Sequence, residues 1–217
     1  MHFLLEPVVG SAAPSLTALA ERERCELLVV GAHRQRRWEG STASAALQTA
    51  TCAVACVPFS SAAEATHPTS LTAVVVATDF STASVAAVSF AWSMLASHGT
   101  LHLVHVLPHG PRHDDLEPRD IFKPSTAPEE AQRHARSRLQ LAAPESGDGA
   151  RQTAVHVLEA ASAAEAIMQA ADRLGAQAIV VGSHGQSALR GALLGSVAQQ
   201  VSARAALPVV VVKAAQG

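Results

Sequence analysis

Apolar residues follow two rhythms along this chain. Residues 27–30, 71–77, 178–181 and 209–212 form short, nearly continuous apolar runs that read as strands, and the run at 71–77 has the pattern of a parallel central strand buried on both sides. Between such runs the period changes. Val85, Val88, Trp92 and Leu95 recur at helical spacing, with Ser81 placed to cap the start and Gly99 to stop the end. The same alternation predicts strands at 101–107 and 153–158 and helices at 129–142, 162–174 and 196–205. Strands that alternate with helices require crossover connections, hence a parallel sheet with helices on both faces. Residues 108–128, rich in Pro, Arg and Asp, break both rhythms and read as a long loop, mobile without ligand.

The pattern also repeats. Residues 25–33 (CELLVVGAH) read like residues 176–184 (AQAIVVGSH), and Gly40-Ser41 stands to the first as Gly195-Ser196 stands to the second. Residues 1–60 are therefore expected to be a degraded copy of the second half of the unit in 71–217, with 61–70 as a linker. By the same correspondence 3–9 is a strand and 14–24 a helix. The first copy's loop is damaged, since Arg34 replaces a glycine and only five residues separate it from Gly40. The strand at 209–212 is an apolar edge that invites another strand. We expect 54–59 to run antiparallel to 209–213, with 3–9 beside 27–30.

Chemistry concentrates where the strand at 178–181 meets the helix at 196. Gly182 and Gly185, then nine residues, then Gly195-Ser196 lie on that connection. Glycines there permit positive φ and let a ligand approach the main chain. The following helix start is a seat for phosphate, with Ser196 expected both to cap it and to donate to a phosphate oxygen. Asp79, ending the first strand of the unit, should face the same crevice if that strand and the one ending at Gly182 are neighbours. The alternative for Asp79 is a helix-start carboxylate held by the dipole.

This spacing resembles the signature of the nucleotide-binding branch of the universal stress protein family, G-x2-G-x9-G followed by Ser or Thr, matched at Gly182, Gly185, Gly195 and Ser196. Residues 207–213 resemble the family's last strand, and the likeness runs through 71–217. The resemblance implies an α/β fold, a doubly wound five-stranded parallel sheet of order 3-2-1-4-5, preceded here by the half domain. It implies ATP as ligand, with Mg2+ or Mn2+ held by the phosphates. The contacts it implies are Ala77, Asp79, Val106, Gly182, His184, Gly185, Gln186, Gly195, Ser196 and Val197. Val106 would pack on adenine with Ala77 beside it, Asp79 would accept from base or ribose, and His184 would have a supporting role. It further implies self-association through the last strand or internal pairing of the two copies.

Composition narrows the partners. A net charge of -2, with 16 basic against 18 acidic residues, offers no electrostatic footprint for nucleic acid. No apolar run is long enough to span a bilayer and no charged-then-apolar leader begins the chain, so a soluble cytoplasmic protein is expected. Cys25, Cys52 and Cys56 lack zinc-finger spacing and read as reduced apolar fillers. Among His102, His105, His109 and His113, the first two point to opposite faces of an extended strand, so no metal site is expected. No nucleophile with a base and no P-loop lysine is visible, although Arg190 could neutralise phosphate. The sequence thus favours an ATP-binding regulatory protein that is not an enzyme. The alternatives are a slow ATPase or nucleotide-dependent transferase, and a dimerisation module that has lost its nucleotide.

Overall fold

The computed structural model describes residues 11–31, 38, 40–58, 70–108, 128–145, 150–185 and 194–214. The expected strand at 3–9, most of the linker and of the loop at 108–128, Arg34, His109, His113, Gln186 and Arg190 lie outside them. In chain order the elements are α1 (Ala12–Arg22), β1 (Leu27–Gly31), α2 (Thr42–Thr49), β2 (Ala53–Val57), β3 (Leu71–Ala77), α3 (Thr82–Met94), β4 (Leu95–Pro108), α4 (Pro128–Ala142), β5 (Gln152–Ala160), α5 (Ala163–Arg173), β6 (Ala178–Gly182), α6 (Ser196–Arg204) and β7 (Val209–Val212).

The strands form one seven-stranded sheet in the order β1-β2-β7-β6-β3-β4-β5. From β7 to β5 all neighbours are parallel, so the strands of the second copy stand in the order 3-2-1-4-5. The valine runs explain why. Val74, Val75, Val76, Val180 and Val211 are fully inaccessible, and successive side chains enter two different cores. One core gathers Val75, Val104, Ile179 and Val211 beneath α2, α5 and α6; the other gathers Val74, Val76, Leu101 and Leu103 beneath α3 and α4.

Two helices depart from expectation by more than one residue: α1 spans Ala12–Arg22 in place of 14–24, with Arg24 at φ +52° beyond its end, and α3 stops early. α3 ends at Met94, five positions before Gly99, because Leu95 turns extended (φ -73°, ψ 137°) and buries its side chain. β4 begins there, with a register shift between Leu71 and Ala73. Gly99 instead fits under that leucine: a Cβ at Gly99 would lie 2.7 Å from the Leu95 side chain and 3.1 Å from the Thr72 carbonyl. Ser81 caps α3 as expected, accepting from Ser84 N at 3.3 Å.

The two copies join where the edge-strand argument places them. β2 runs antiparallel to β7, with Val54 opposite Val211, Ala55 opposite Val210 and Cys56 opposite Val209. In the repeat, Val54 corresponds to Val209, Ala55 to Val210 and Cys56 to Val211. Each pair therefore maps onto another pair when the copies are exchanged, and the pairing is isologous within a single chain. Lys213 strengthens the junction from one side, donating from Nζ to the Leu47 carbonyl at 2.5 Å near the C-terminus of α2, where a cation suits the dipole. Burial lowers the pKa of this ammonium. On the α3 side of the sheet, no described helix covers β1, and Val29 is 59% exposed.

Cys56 lies inside this junction, 2% exposed, and burial pushes its thiol pKa up to about 11. Cys25 is exposed. Because only thiolate attacks an alkylating agent, iodoacetamide should label Cys25 in the native protein and reach Cys56 only after unfolding. Mass spectrometry of labelled peptides checks this, and Cys56 labelling as fast as Cys25 would show that β2 and β7 part in the native state.

Candidate functional site

β3 and β6 are parallel neighbours, with Ala77 opposite Val181, and both chains leave the sheet at the same edge. The chain after β3 is folded by its own short polar residues. Thr78 is buried; its N–H donates to the Val104 carbonyl at 2.9 Å and its Oγ1 accepts from Phe80 N at 3.0 Å. That turn puts Phe80 at φ +65°, a left-handed conformation costly for a bulky side chain. Surrounding contacts hold it there: the Phe80 ring lies 4.7 Å from the His105 ring, and the Arg138 guanidinium stacks over it at 3.9 Å. His105 Nδ1 lies 2.8 Å from the Thr78 carbonyl, which can only accept, so the ring carries its proton on Nδ1.

Asp79 then bends back along the helix start, its Oδ1 accepting from Ser81 N at 3.1 Å. Ser81 performs two tasks with one hydroxyl. It accepts from Ser84 N as the cap of α3 and donates to the His184 carbonyl at 3.1 Å, tying α3 to the glycine loop.

The glycines act differently from the sequence expectation. Gly182, Gly185 and Gly195 all avoid positive φ, which among the described glycines occurs at Gly40 and Gly175. What they supply is room. A Cβ at Gly182 would lie 2.7 Å from Ser84 N and 2.8 Å from the Ala83 carbonyl carbon, so the start of α3 rests on the end of β6. A Cβ at Gly185 would lie 2.5 Å from Asp79 Oδ2, so the absent side chain leaves space for the carboxylate. The loop is closed by Gly195 N donating to the Ser183 carbonyl at 2.7 Å, and Ser183 N donates to the Val212 carbonyl at 2.8 Å. Ser183 Oγ and His184 Nδ1 are 2.9 Å apart.

Ser196 also departs from expectation. The N-cap of α6 is Gly195, which has no side chain to offer, and Ser196 is the first helical residue. Among the described residues, no side chain caps the first-turn N–H groups of α6. The first copy does the opposite: Gly40 takes φ +78° and Ser41 caps α2, accepting from Ser44 N at 3.1 Å. The same Gly-Ser pair is used one position out of step, and its hydroxyl is occupied.

Together these elements enclose a crevice of about 370 Å³. Of the ten residues expected to contact a ligand, Ala77, Asp79, Val106, Gly182, His184, Gly185, Gly195, Ser196 and Val197 line it, and Gln186 lies outside the described residues. The sequence reading missed Thr78, Ser84, Val104, Ile167 and Leu194, which also line it, and placed His105 in a metal question instead. Ile167 arrives from α5 across the sheet, and no local pattern signals such a contact. Val104 was legible by alternation from Val106. Its lining combines the aliphatic Val104, Val106 and Ile167 with the polar Asp79, His105, His184 and Ser196, which suits a ligand with a flat apolar part and an anionic part.

The fold and crevice define a doubly wound α/β protein with a crevice at the carboxyl ends of adjacent strands. The sequence matches the universal stress protein family over residues 5–58 and 71–213, and the chain belongs to that family. No curated protein matches it. Among solved structures, the functionally unknown protein PA1789 from Pseudomonas aeruginosa PAO1 is similar with a TM-score of 0.65 at 20% identity, covering 95% of this chain and 69% of that one. A universal stress protein from Archaeoglobus fulgidus DSM 4304 gives 0.59 at 19% identity, covering 93% of this chain and 66% of that one. The universal stress protein UspA of Lactobacillus plantarum gives 0.50 at 21% identity, covering 67% of this chain and 99% of that one. The chain therefore spans about two thirds of the length of the longer relatives.

The two glycines beside α3 should respond differently to alanine. Gly182→Ala drives a methyl into backbone and should destabilise by roughly 1–3 kcal/mol. Gly185→Ala displaces only the Asp79 side chain and should cost about 1 kcal/mol, the worth of a hydrogen bond. Urea unfolding of both variants measures the difference, and equal losses would contradict the packing described here.

Proposed function

We propose that the crevice binds ATP and that the protein is a regulatory nucleotide-binding member of its family. The adenine would lie against Val104 and Val106, with Asp79 accepting from base or ribose. The phosphates would lie on the glycine loop and the start of α6, where Ser196 donates. The observation that carries this reading is that the start of α6 and the aliphatic residues Val104, Val106 and Ile167 line one crevice: backbone N–H groups and the dipole favour an anion at the helix start, while the aliphatic residues favour a ring. Mg2+ or Mn2+ would be held by the phosphates and would supply charge neutralisation.

On this reading residues 1–60 are a half domain without nucleotide, 61–70 a linker and 71–217 the complete nucleotide domain. Support comes from the cap of α2, where Ser41 already occupies the position a phosphate would need. β2 covers the β7 edge, so internal pairing takes the place of self-association through that edge. Bound ATP would stabilise the second copy by mass action and bias the loop surface presented to a partner. No residue is assigned a catalytic role.

Calorimetric titration should give one ATP per chain. Asp79→Ala should weaken binding by about tenfold or more, equivalent to about 1.4 kcal/mol, and Gly185→Val should abolish it by displacing Asp79 and filling the loop. Two sites of similar affinity would refute the assignment to the second copy. A melting temperature unmoved by millimolar ATP would favour the nucleotide-free module, and metal-dependent phosphate release that falls in Asp79→Ala would favour the ATPase. Mass analysis of nucleotide released on denaturation separates ATP from AMP.

A further inference from the structure

His102 and His156 meet outside the crevice, on neighbouring strands. In the parallel pairing of β4 with β5, His102 stands opposite Ala154 and Val104 opposite His156. Alternation therefore puts both rings on the face that carries Val104, Val106 and Leu158. His102 Nδ1 lies 3.2 Å from His156 Nε2, with ring centroids 5.3 Å apart and planes inclined at 46°. Both residues are half-buried, open enough for exchange with solvent.

Two neutral imidazoles at this distance share one proton: one ring donates N–H and the other accepts. A divalent transition ion could instead take a lone pair from each. Ligand nitrogens bound about 2.0–2.1 Å from one ion stand about 3.4 Å apart at the tetrahedral angle and about 2.9 Å apart at a right angle. The observed 3.2 Å falls between these limits, so the ion needs little movement of either strand.

We propose that His102 Nδ1 and His156 Nε2 form a two-histidine site for a divalent transition ion such as zinc or nickel, with water completing the coordination. Among the described residues no third His, Cys, Asp or Glu joins them, so the ion would be exchangeable. On binding, the shared proton moves through solvent to the far nitrogen of its own ring, leaving both imidazoles neutral and coordinated. Burial, reinforced by His156, lowers the pKa of His102, and burial, reinforced by Arg136, lowers that of His156, so protons compete little at neutral pH. Val104 follows His102 on the same face and lines the crevice, so an ion here would fasten β4, which contributes to the crevice lining, to β5.

Titration of the full chain with Ni2+ under reducing conditions tests this. His102→Ala and His156→Ala should each weaken the tightest site by more than about tenfold, the lower end of the loss seen for outer-shell partners of metal ligands. His98→Ala, at an exposed position, should leave it unchanged. In the unsubstituted protein, substoichiometric Ni2+ should broaden the ring nitrogen signals of His102 and His156 before those of other histidines. The proposal is overturned if those two signals persist at one equivalent of Ni2+, or if either variant titrates like the parent.

Discussion

The start of α3 rests directly on the end of β6, and it can do so only because residue 182 has no side chain. A methyl there would meet the backbone of Ala83 and Ser84 at under 3 Å, so the helix would have to lift. Much of the crevice depends on that approach. It brings Ser81 close enough to hold the His184 carbonyl, and it sets Asp79 against Gly185, where a second missing side chain receives the carboxylate. The two glycines thus act as contact points between secondary structures. Their use lies in absent volume more than in backbone freedom.

The same economy appears in the loop after β3. Thr78, Asp79 and Ser81 accept from the backbone N–H groups of Phe80, Ser81 and Ser84 in turn, and the left-handed Phe80 is the conformational cost of so short a turn. A buried threonine, a histidine protonated on Nδ1 and a stacked arginine fix the turn from three sides. A turn held in this way is pre-formed, and ATP bound as proposed would not have to order it at the expense of its own binding energy.

The joining of the copies follows from the problem of the exposed edge. β7 is wholly apolar, and β2 offers the matching strand in a pairing that exchanges the two copies symmetrically. The surroundings are not symmetric. β6 has β3 beside it, whereas β1 is the edge of the sheet among the described residues and carries the exposed Val29. A crevice needs two neighbouring strand ends, and among the described residues the first copy shows the helix start without a strand on the far side of β1.

Much of this was legible in the sequence. The valine runs at 71–77, 178–181 and 209–212 mark strands packed on both faces, whereas the run at 27–30 forms a strand that leaves Val29 exposed. The repeat at Gly31 and Gly182 pointed to two copies, and the spacing of Gly182, Gly185 and Gly195 pointed to the loop that lines the crevice, because turns and helix starts are local events. Tertiary structure alone decided the rest. Whether a glycine is needed for its φ or for its missing Cβ depends on what packs against it, and at Gly182 that is a helix about a hundred residues away in sequence. Whether Ser196 or Gly195 caps a helix turns on one residue of register, which the loop closure at Ser183 sets. The pairing of His102 with His156, and the arrival of Ile167 in the crevice, come from parallel strands and a crossover helix brought together by the sheet. Local pattern carries the elements, since each depends on near neighbours; the contacts between elements depend on register, which emerges only when the whole sheet is assembled.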